Sequence, residues 1–273
     1  MNEAERQTSN SSCWALSDSE SGRILDKPCS LKNAKTTYTE NCMECGALLE
    51  YLNYAMELKC SNCGKVEQGY IRCSNNHYLC ESCHNRQSVE QIKAFCLSTK
   101  SISPFKIAEE MIALPQLPML GCQHAFIAVG ALMAALRNER TLKVDDDQIE
   151  EAFRRTEKQA ISGYCGLTGV CGIAPAIGAC LAVLLNSKCG TDKEQRLTMQ
   201  LVSRVCQTIA DLTGPSCCKA YLRASLEVAA QFLTEYFQIN PPSALGSTEC
   251  QYSQHHPHGC RGSQCPYFVN TNG

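Results

Sequence analysis

The sequence has no strong excess of charge of either sign. Its 273 residues include 25 Lys and Arg against 27 Asp and Glu, which gives a formal net charge of −2. Proteins that bind nucleic acid without sequence preference rely on many cations that contact phosphates, so this balance argues against such a function. Lys59, Lys65 and Arg72, the cations near the paired cysteines described below, are too few to form a basic patch.

A long hydrophobic run and an export signal are also missing. Residues 161–187 carry no charged side chain, but several glycines and Pro175 interrupt them. Their continuous apolar part, residues 173–185, covers about thirteen positions, whereas a transmembrane helix needs roughly twenty. We therefore predict a buried core helix there. Residues 1–40 lack the basic start and apolar stretch of a signal peptide, so we expect a cytoplasmic protein.

Cysteine, in contrast, is abundant. The chain contains 21 cysteines, about one residue in thirteen, a level near that of much smaller disulfide or metal scaffolds. In a reducing compartment, clustered thiols hold metal ions or carry redox chemistry more often than they form disulfides. The composition therefore favours a thiol-rich metalloprotein.

The distribution of residues along the chain predicts a mainly α-helical protein with a small zinc-ribbon-like module near its N-terminus. Residues 1–40 are polar and aperiodic, which is typical of a disordered tail. Residues 41–86 carry paired cysteines among short strand-like runs. Residues 87–240 carry apolar residues at helical spacing and predict an all-helical domain of about six to eight helices. Residues 241–273 form a Cys/His-rich C-terminal tail.

Two Cys-x-x-Cys-Gly motifs predict a first zinc site with the ligands Cys42, Cys45, Cys60 and Cys63. This turn directs two thiolates at one ion, and four thiolates satisfy tetrahedral zinc. A module of about forty residues buries too little apolar surface to fold by itself, so we expect the metal to stabilise it. A thioredoxin-like redox pair would need a βαβ pattern, which the sequence lacks.

The next four candidate ligands predict a second zinc site, formed by Cys73, His77, Cys80 and Cys83 with His84 as a spare. Three thiolates and an imidazole also suit a tetrahedral ion. Two alternatives stay open: the histidines are polar surface residues beside one redox pair, or iron replaces zinc in either site.

Cysteines also stand at three predicted helix starts in the helical domain. The candidate cofactor ligands are Cys122, His124, Cys165, Cys171, Cys217 and Cys218. Amides at a helix start favour a thiolate, and glycines allow the backbone to approach a bulky ligand. We therefore predict a shared pocket for an iron–sulfur cluster or another thiophilic metal. The alternatives are inert packing of buried cysteines and a redox pair.

The C-terminal tail carries a further candidate metal site at Cys250, Cys260 and Cys265, the last of which precedes a proline. As an iron–sulfur site it needs a fourth ligand from elsewhere in the chain. A zinc site that includes one of the tail histidines is an equal alternative; these are His255, His256 and His258.

Taken in order, these motifs resemble an uncharacterised cysteine-rich family found mainly in anaerobic bacteria and archaea. The run comprises two CxxCG motifs, CxxxHYxCxxCH, AALRN, GxCGxxGxCG, GPxCCK, and a closing CxYS…C…CP; it extends from Cys42 to Phe268. Some relatives are fused to S-adenosylmethionine-dependent methyltransferases. The resemblance implies anaerobic metal, sulfur or one-carbon metabolism, but not methyltransferase activity, since that domain is absent from this sequence.

Three functional hypotheses follow. The first is an oxygen-sensitive metalloprotein, with structural zinc and a cluster or soft metal, that transfers electrons, sulfur or metal to a protein partner. The second is an enzyme whose nucleophile is Cys165, Cys171, Cys217 or Cys218. A lowered pKa would activate this thiol, and Lys219 would be one cause of it. The third is a non-catalytic adaptor in which the zinc module recognises protein or nucleic acid.

Overall fold

The computed structural model describes residues 41–42, 44–114, 117–212, 214–242 and 249–269. The predicted disordered tail, residues 1–40, lies outside the described residues. The described part is mainly helical with a small two-stranded N-terminal sheet, which confirms the predicted fold class. Its elements are β1 Leu49–Lys59, β2 Val66–Cys73, α1 Glu81–Ser98, α2 Pro104–Ile112, α3 Gln123–Glu139, α4 Asp146–Glu157, α5 Tyr164–Thr168, α6 Ile173–Leu184, α7 Lys193–Asp211 and α8 Cys218–Phe237.

Strands β1 and β2 form an antiparallel hairpin. The register pairs Leu49 with Cys73 at one end of the ladder and Lys59 with Val66 at the other. An irregularity between Tyr51 and Met56 leaves extra residues in β1. A two-stranded sheet is marginal in water, so the hairpin needs support beyond its backbone hydrogen bonds.

Helix α3 is the centre of the helical domain, and α1, α2, α4, α6 and α8 all contact it. Every residue from 123 to 136 is buried, because no charged side chain occurs before Arg137. Gly130 allows close approach of its neighbours: a Cβ there would lie 3.0 Å from Cε of Met111. The Phe126 and Phe153 rings stack at 6.2 Å and join α3 to α4.

The predicted core helix is α6, which is 12 residues long and buried along most of its length. No helix among the described segments is both long and apolar enough to cross a membrane. Helix α5, in the glycine-rich segment before α6, was not expected from the sequence.

Helix α1 begins at Glu81, before the predicted start of the helical domain at residue 87. The N–H groups of Cys83 and His84 both donate to the Cys80 carbonyl, at 2.9 Å each. The last Cys-x-x-Cys pair therefore forms the first turn of the helix, and the predicted module boundary at residue 86 falls inside α1. Hydrophobic periodicity does not reveal this start because the first turn consists of polar residues and cysteines.

Helix α4 starts with a capping box, which gives a test of local stability. The Asp145 carboxylate accepts from Gln148 N at 2.8 Å, and Gln148 Oε1 accepts from Asp145 N at 3.2 Å. We expect Asp145→Ala to lower the free energy of unfolding by about 1 kcal/mol, the usual value of an N-cap. Urea denaturation measures this, with Asp147→Ala as the control that removes an equal charge without a cap. Equal losses in the two variants would contradict a capping role.

Candidate metal centres

Two groups of four side chains lie near the ends of the β1–β2 hairpin. The first N-terminal cluster consists of Cys42, Cys45, Cys73 and His77, and the second N-terminal cluster consists of Cys60, Cys63, Cys80 and Cys83. Within each group, the candidate ligand atoms all lie within 4.8 Å of one another. Each group can therefore hold one metal ion in a tetrahedral set of donors.

These groups contain the eight predicted ligands, but the predicted division between the two sites is wrong. The sequence suggested that the two Cys-x-x-Cys-Gly motifs share one ion. In the structure, Cys45 Sγ instead lies 3.8 Å from Cys73 Sγ, and Cys63 Sγ lies 3.6 Å from Cys80 Sγ. The two clusters are interleaved along the chain, as in a cross-brace.

The hairpin explains why each Cys-x-x-Cys-Gly motif shares a cluster with later residues and not with the other motif. The first motif precedes β1, and β2 brings Cys73 back beside Leu49, at the end of the ladder where β1 begins. The chain then turns, and Tyr78 forms a bridge with Cys60 near the opposite end. Cys80 therefore lies beside Cys60 and Cys63, the motif between β1 and β2.

The two Cys-x-x-Cys-Gly turns share one backbone geometry. Gly46 and Gly64 both have φ of +73°, a conformation that favours glycine. Their N–H groups donate to the carbonyls of Cys42 and Cys60, at 2.8 and 2.9 Å. The sulfurs also accept backbone N–H groups: Glu44 N lies 3.4 Å from Cys42 Sγ. Such donors stabilise the negative charge of a thiolate.

Each cluster combines one acidic thiol with others that resist ionisation. Hydrogen bonds from the Ala47 backbone and the Asn75 side chain lower the pKa of Cys45 to about 6. Burial opposes ionisation of Cys60, but backbone N–H groups, including that of Cys63, outweigh it and lower its pKa to about 6. Burial raises the pKa of Cys80 to about 12. A cation that binds all four donors must therefore displace protons.

In the helical domain, the structure brings four of the six predicted cofactor ligands near one another. We call Cys122, Cys165, Cys171 and Cys218 the helical thiol set. Cys122 interacts electrostatically with Cys171 and Cys218, and Cys165 interacts with both of these. The N–H of Gly121 donates to Cys218 Sγ at 3.4 Å.

The thiols of this set do not have the lowered pKa values that the enzyme hypothesis expected. Burial raises the pKa of Cys171 to about 11 and that of Cys218 to about 12. Burial also raises the pKa of Cys122. Desolvation disfavours the charged thiolate more than the helix starts favour it, so burial opposes thiol activation at Cys171 and Cys218, and the enzyme hypothesis stays a prediction.

His124 and Cys217, the other two predicted cofactor ligands, face elsewhere. The fully buried His124 ring contacts Gly121 O through Nδ1 at 3.0 Å and Lys219 Nζ through Nε2 at 3.4 Å. Since the ammonium donates to Nε2, the ring is held as the neutral Nδ1–H tautomer, and neither nitrogen is left to coordinate a metal. Desolvation lowers the pKa of His124 to about 3, consistent with this tautomer.

Lys219 was missed as a site residue. It is 2% exposed, and Nζ donates to the carbonyls of Pro118 and Met119 at 3.4 and 3.0 Å. The ammonium also lies 4.8 Å above the Tyr252 ring. Within the described residues it has no carboxylate partner, although Cys217, Cys218 and Cys250 all act on its charge. In the sequence, only its position directly after Cys217 and Cys218 indicates that Lys219 belongs to a site.

Cys217 lines a cavity between the start of α8 and the C-terminal segment. The three cysteines of the predicted C-terminal site line the same cavity: Cys250, Cys260 and Cys265. Cys217 interacts electrostatically with Cys250. Cys217 therefore lines this cavity, and it also acts on the charge of the adjacent Cys218.

Three polar contacts connect the first turn of α1 with residues next to the helical thiol set. Glu81, at the start of α1, accepts from Ser162 N at 3.0 Å and Ser162 Oγ at 2.9 Å. Three residues later, His84 Nδ1 lies 3.3 Å from Gln123 Nε2. His84, the predicted spare ligand, therefore contacts α3 and is not part of either cluster.

The fold and the sites define a mainly helical, cysteine-rich protein with two Cys/His clusters that can hold metal ions. Residues 92–268, well over half of the chain, match the model of a family described as DUF5714, a family of unknown function, and the chain belongs to that family. The match begins after the two N-terminal clusters and includes the helical thiol set and Cys217, Cys250, Cys260 and Cys265. Neither the curated proteins nor the solved structures contain a match to this chain.

Proposed function

We propose that this protein is a sulfur-ligated metalloprotein of anaerobic, cytoplasmic metabolism. Zinc at the two N-terminal clusters would stabilise the hairpin and the start of α1. An iron–sulfur cluster or another thiophilic metal, held by the helical thiol set, would serve the transfer of electrons, sulfur or metal to a protein partner.

The donor atoms support zinc at the N-terminal clusters. A Cys₃His group and a Cys₄ group are the usual ligands of structural zinc, and each leaves no open position for a substrate. The β1–β2 hairpin is too small to be stable alone, so bound metal would supply much of its folding free energy. The contacts of Glu81 with Ser162 and of His84 with Gln123 then connect the start of α1 with the rest of the helical domain.

The observation that carries the rest of the proposal is that the four cysteines of the helical thiol set act on one another's charge. These cysteines come from the starts of α3, α5, α6 and α8, which are distant in sequence. Cysteine thiolates are the usual protein ligands of iron–sulfur clusters. When bound, such a group would supply one-electron chemistry, and these residues would hold it.

The surface around Cys165 supports a protein partner. Cys165 is exposed, and so are the apolar side chains of Tyr164, Leu167 and Val170 beside it. Exposed apolar side chains grouped at one place are typical of interaction surfaces. Transfer of an electron, sulfur or metal requires such close approach to the donor site.

Anaerobic purification tests the proposal. We expect iron and acid-labile sulfide, together with visible absorption, in addition to about two zinc ions per chain as two structural sites require. Cys171→Ser should remove the iron and sulfide that the helical thiol set binds, while the exposed Cys189→Ser should retain them. Bleaching by dithionite would identify an electron-transfer role, and loss of sulfide to an added acceptor would identify sulfur transfer.

Two results would contradict the proposal. Zinc alone, without iron, sulfide or another soft metal, would exclude the cofactor. Iron and sulfide contents that are equal in Cys171→Ser and the native protein would show that the helical thiol set does not bind them.

A further inference from the structure

The four cysteines around the C-terminal cavity form a set of their own, separate from the helical thiol set. We call Cys217, Cys250, Cys260 and Cys265 the C-terminal thiol set. Cys217 precedes α8, whereas the other three lie in residues 249–269, which follow α8. The cavity brings them together across more than thirty residues of sequence. From this geometry we propose that the C-terminal thiol set binds a second iron–sulfur cluster.

The local geometry of these cysteines resembles that of the N-terminal clusters. Tyr252 N donates to Cys250 Sγ, and Gly262 N donates to Cys260 Sγ, both at 3.4 Å. In each pair the donor is two residues after the cysteine, as Glu44 is after Cys42. The backbone N–H groups of Lys219 and Ala220 act on Cys217 in the same sense. At least three of the four sulfurs thus receive amide donors that stabilise a ligating thiolate.

Positive charge around the cavity favours an anionic occupant. Arg223 interacts with Cys250 Sγ, and Arg223 also forms an ion pair with Glu109, which neutralises its charge. Arg261 lines the cavity and Lys219 lies next to the lining residue Ala220. Neither has such a carboxylate in the described part of the chain: Arg261 Nη2 donates to Pro215 O at 2.8 Å, and its Nη1 is buried without a hydrogen-bond partner. Lys219 is buried and Arg261 is half-buried, so a nearby anion would stabilise both charges. A four-iron cluster with four thiolate ligands is a net dianion in its oxidised resting state, which matches these two cations.

The spacing and the neighbouring histidine favour a cluster over a single zinc ion. Among the described residues, only the two N-terminal groups have candidate ligand atoms that all lie within 4.8 Å. In a four-iron cluster, each cysteine binds a different iron, so the sulfurs stand further apart than around one ion. His256, which also lines the cavity, is engaged at both nitrogens, with Ser216 O at 3.0 Å and His258 N at 3.2 Å. It is therefore not a free zinc ligand.

This site does not depend on the helical thiol set, and variants distinguish the two. The full-length protein is reconstituted anaerobically with ferrous iron and sulfide, and iron, zinc and acid-labile sulfide are measured. We expect Cys265→Ser to lose half of the iron and sulfide, Cys171→Ser to lose the other half, and Cys189→Ser to lose neither. If the helical thiol set binds nothing, Cys265→Ser should instead lose all of the iron and sulfide, so failure of the proposed function remains separate from failure of this inference.

Alkylation of the native chain provides a second readout that does not depend on the folding of a variant. Cys260 and Cys189 are both exposed, so iodoacetamide should modify both in the apo protein. Reconstitution should slow modification of Cys260 at least tenfold and leave Cys189 unchanged. An unchanged rate at Cys260, or a folded Cys265→Ser variant with the native iron and sulfide content, would overturn the inference. Release of a third zinc ion instead of iron by Cys265→Ser would do so as well.

Discussion

Replacing Cys45 and Cys73 together with serine is expected to release one zinc ion, whereas replacing Cys45 and Cys60 together should release both. The first pair belongs to one cluster, and the second pair removes a ligand from each cluster. Structural zinc in small modules contributes roughly 10–16 kcal/mol of apparent binding free energy. Loss of both ions should therefore unfold the β1–β2 hairpin. Zinc analysis after dialysis against a chelator, with circular dichroism, measures both effects.

The same two variants separate the interleaved arrangement from the consecutive one that the sequence suggested. If the two Cys-x-x-Cys-Gly motifs shared one ion, the stoichiometries would be reversed: Cys45 and Cys60 would cost one ion, and Cys45 and Cys73 would cost two. Cys189→Ser serves as the control, since Cys189 lies in neither cluster.

Glu109→Ala is expected to lower the free energy of unfolding by about 3–5 kcal/mol, the usual cost of removing one partner of a buried ion pair. Glu109 binds Arg223 through two hydrogen bonds, of 2.6 and 2.8 Å. The Arg223 side chain is only 4% exposed. Without the carboxylate, its charge remains desolvated between α2, α8 and the C-terminal segment, where the Tyr267 ring lies 5.3 Å away.

Glu110→Ala is the matched control because it removes an equal charge from the next, exposed position of α2. Urea denaturation of both variants gives the comparison. A loss below about 1 kcal/mol in Glu109→Ala, the range of an exposed ion pair, would show that water solvates Arg223 more than the structure indicates.

Much of the fold could be predicted because its signals are local. Pro104 at a first helical turn and the acidic residues before α4 mark helix starts, and the structure places helices there. The uncharged residues 173–185 indicated a buried helix, which the structure places at α6. Helix α5 was missed because its five residues are too few for a periodic pattern.

The site was less predictable than the fold. Short sequence motifs identify the candidate ligands, but the tertiary structure decides which of them share one ion. Spacing identified all eight residues of the N-terminal clusters, yet only the return of β2 determines that Cys73 lies beside Cys45. The same limit applies to Cys217: its adjacency to Cys218 in sequence does not reveal that it lines a cavity with Cys250, Cys260 and Cys265. The burial of Lys219 and Arg223 could not be predicted either, because it depends on tertiary packing.

The interleaved ligands also affect the order of events while the ribosome makes the chain. The first ion cannot be fully enclosed until His77 has emerged, and the second follows when Cys83 does. At roughly 5–20 residues per second, these moments are separated by about one second or less. Nascent chain up to Cys63 therefore carries four of the eight cluster ligands but completes neither set, and both sets are completed almost together as the first turn of α1 forms.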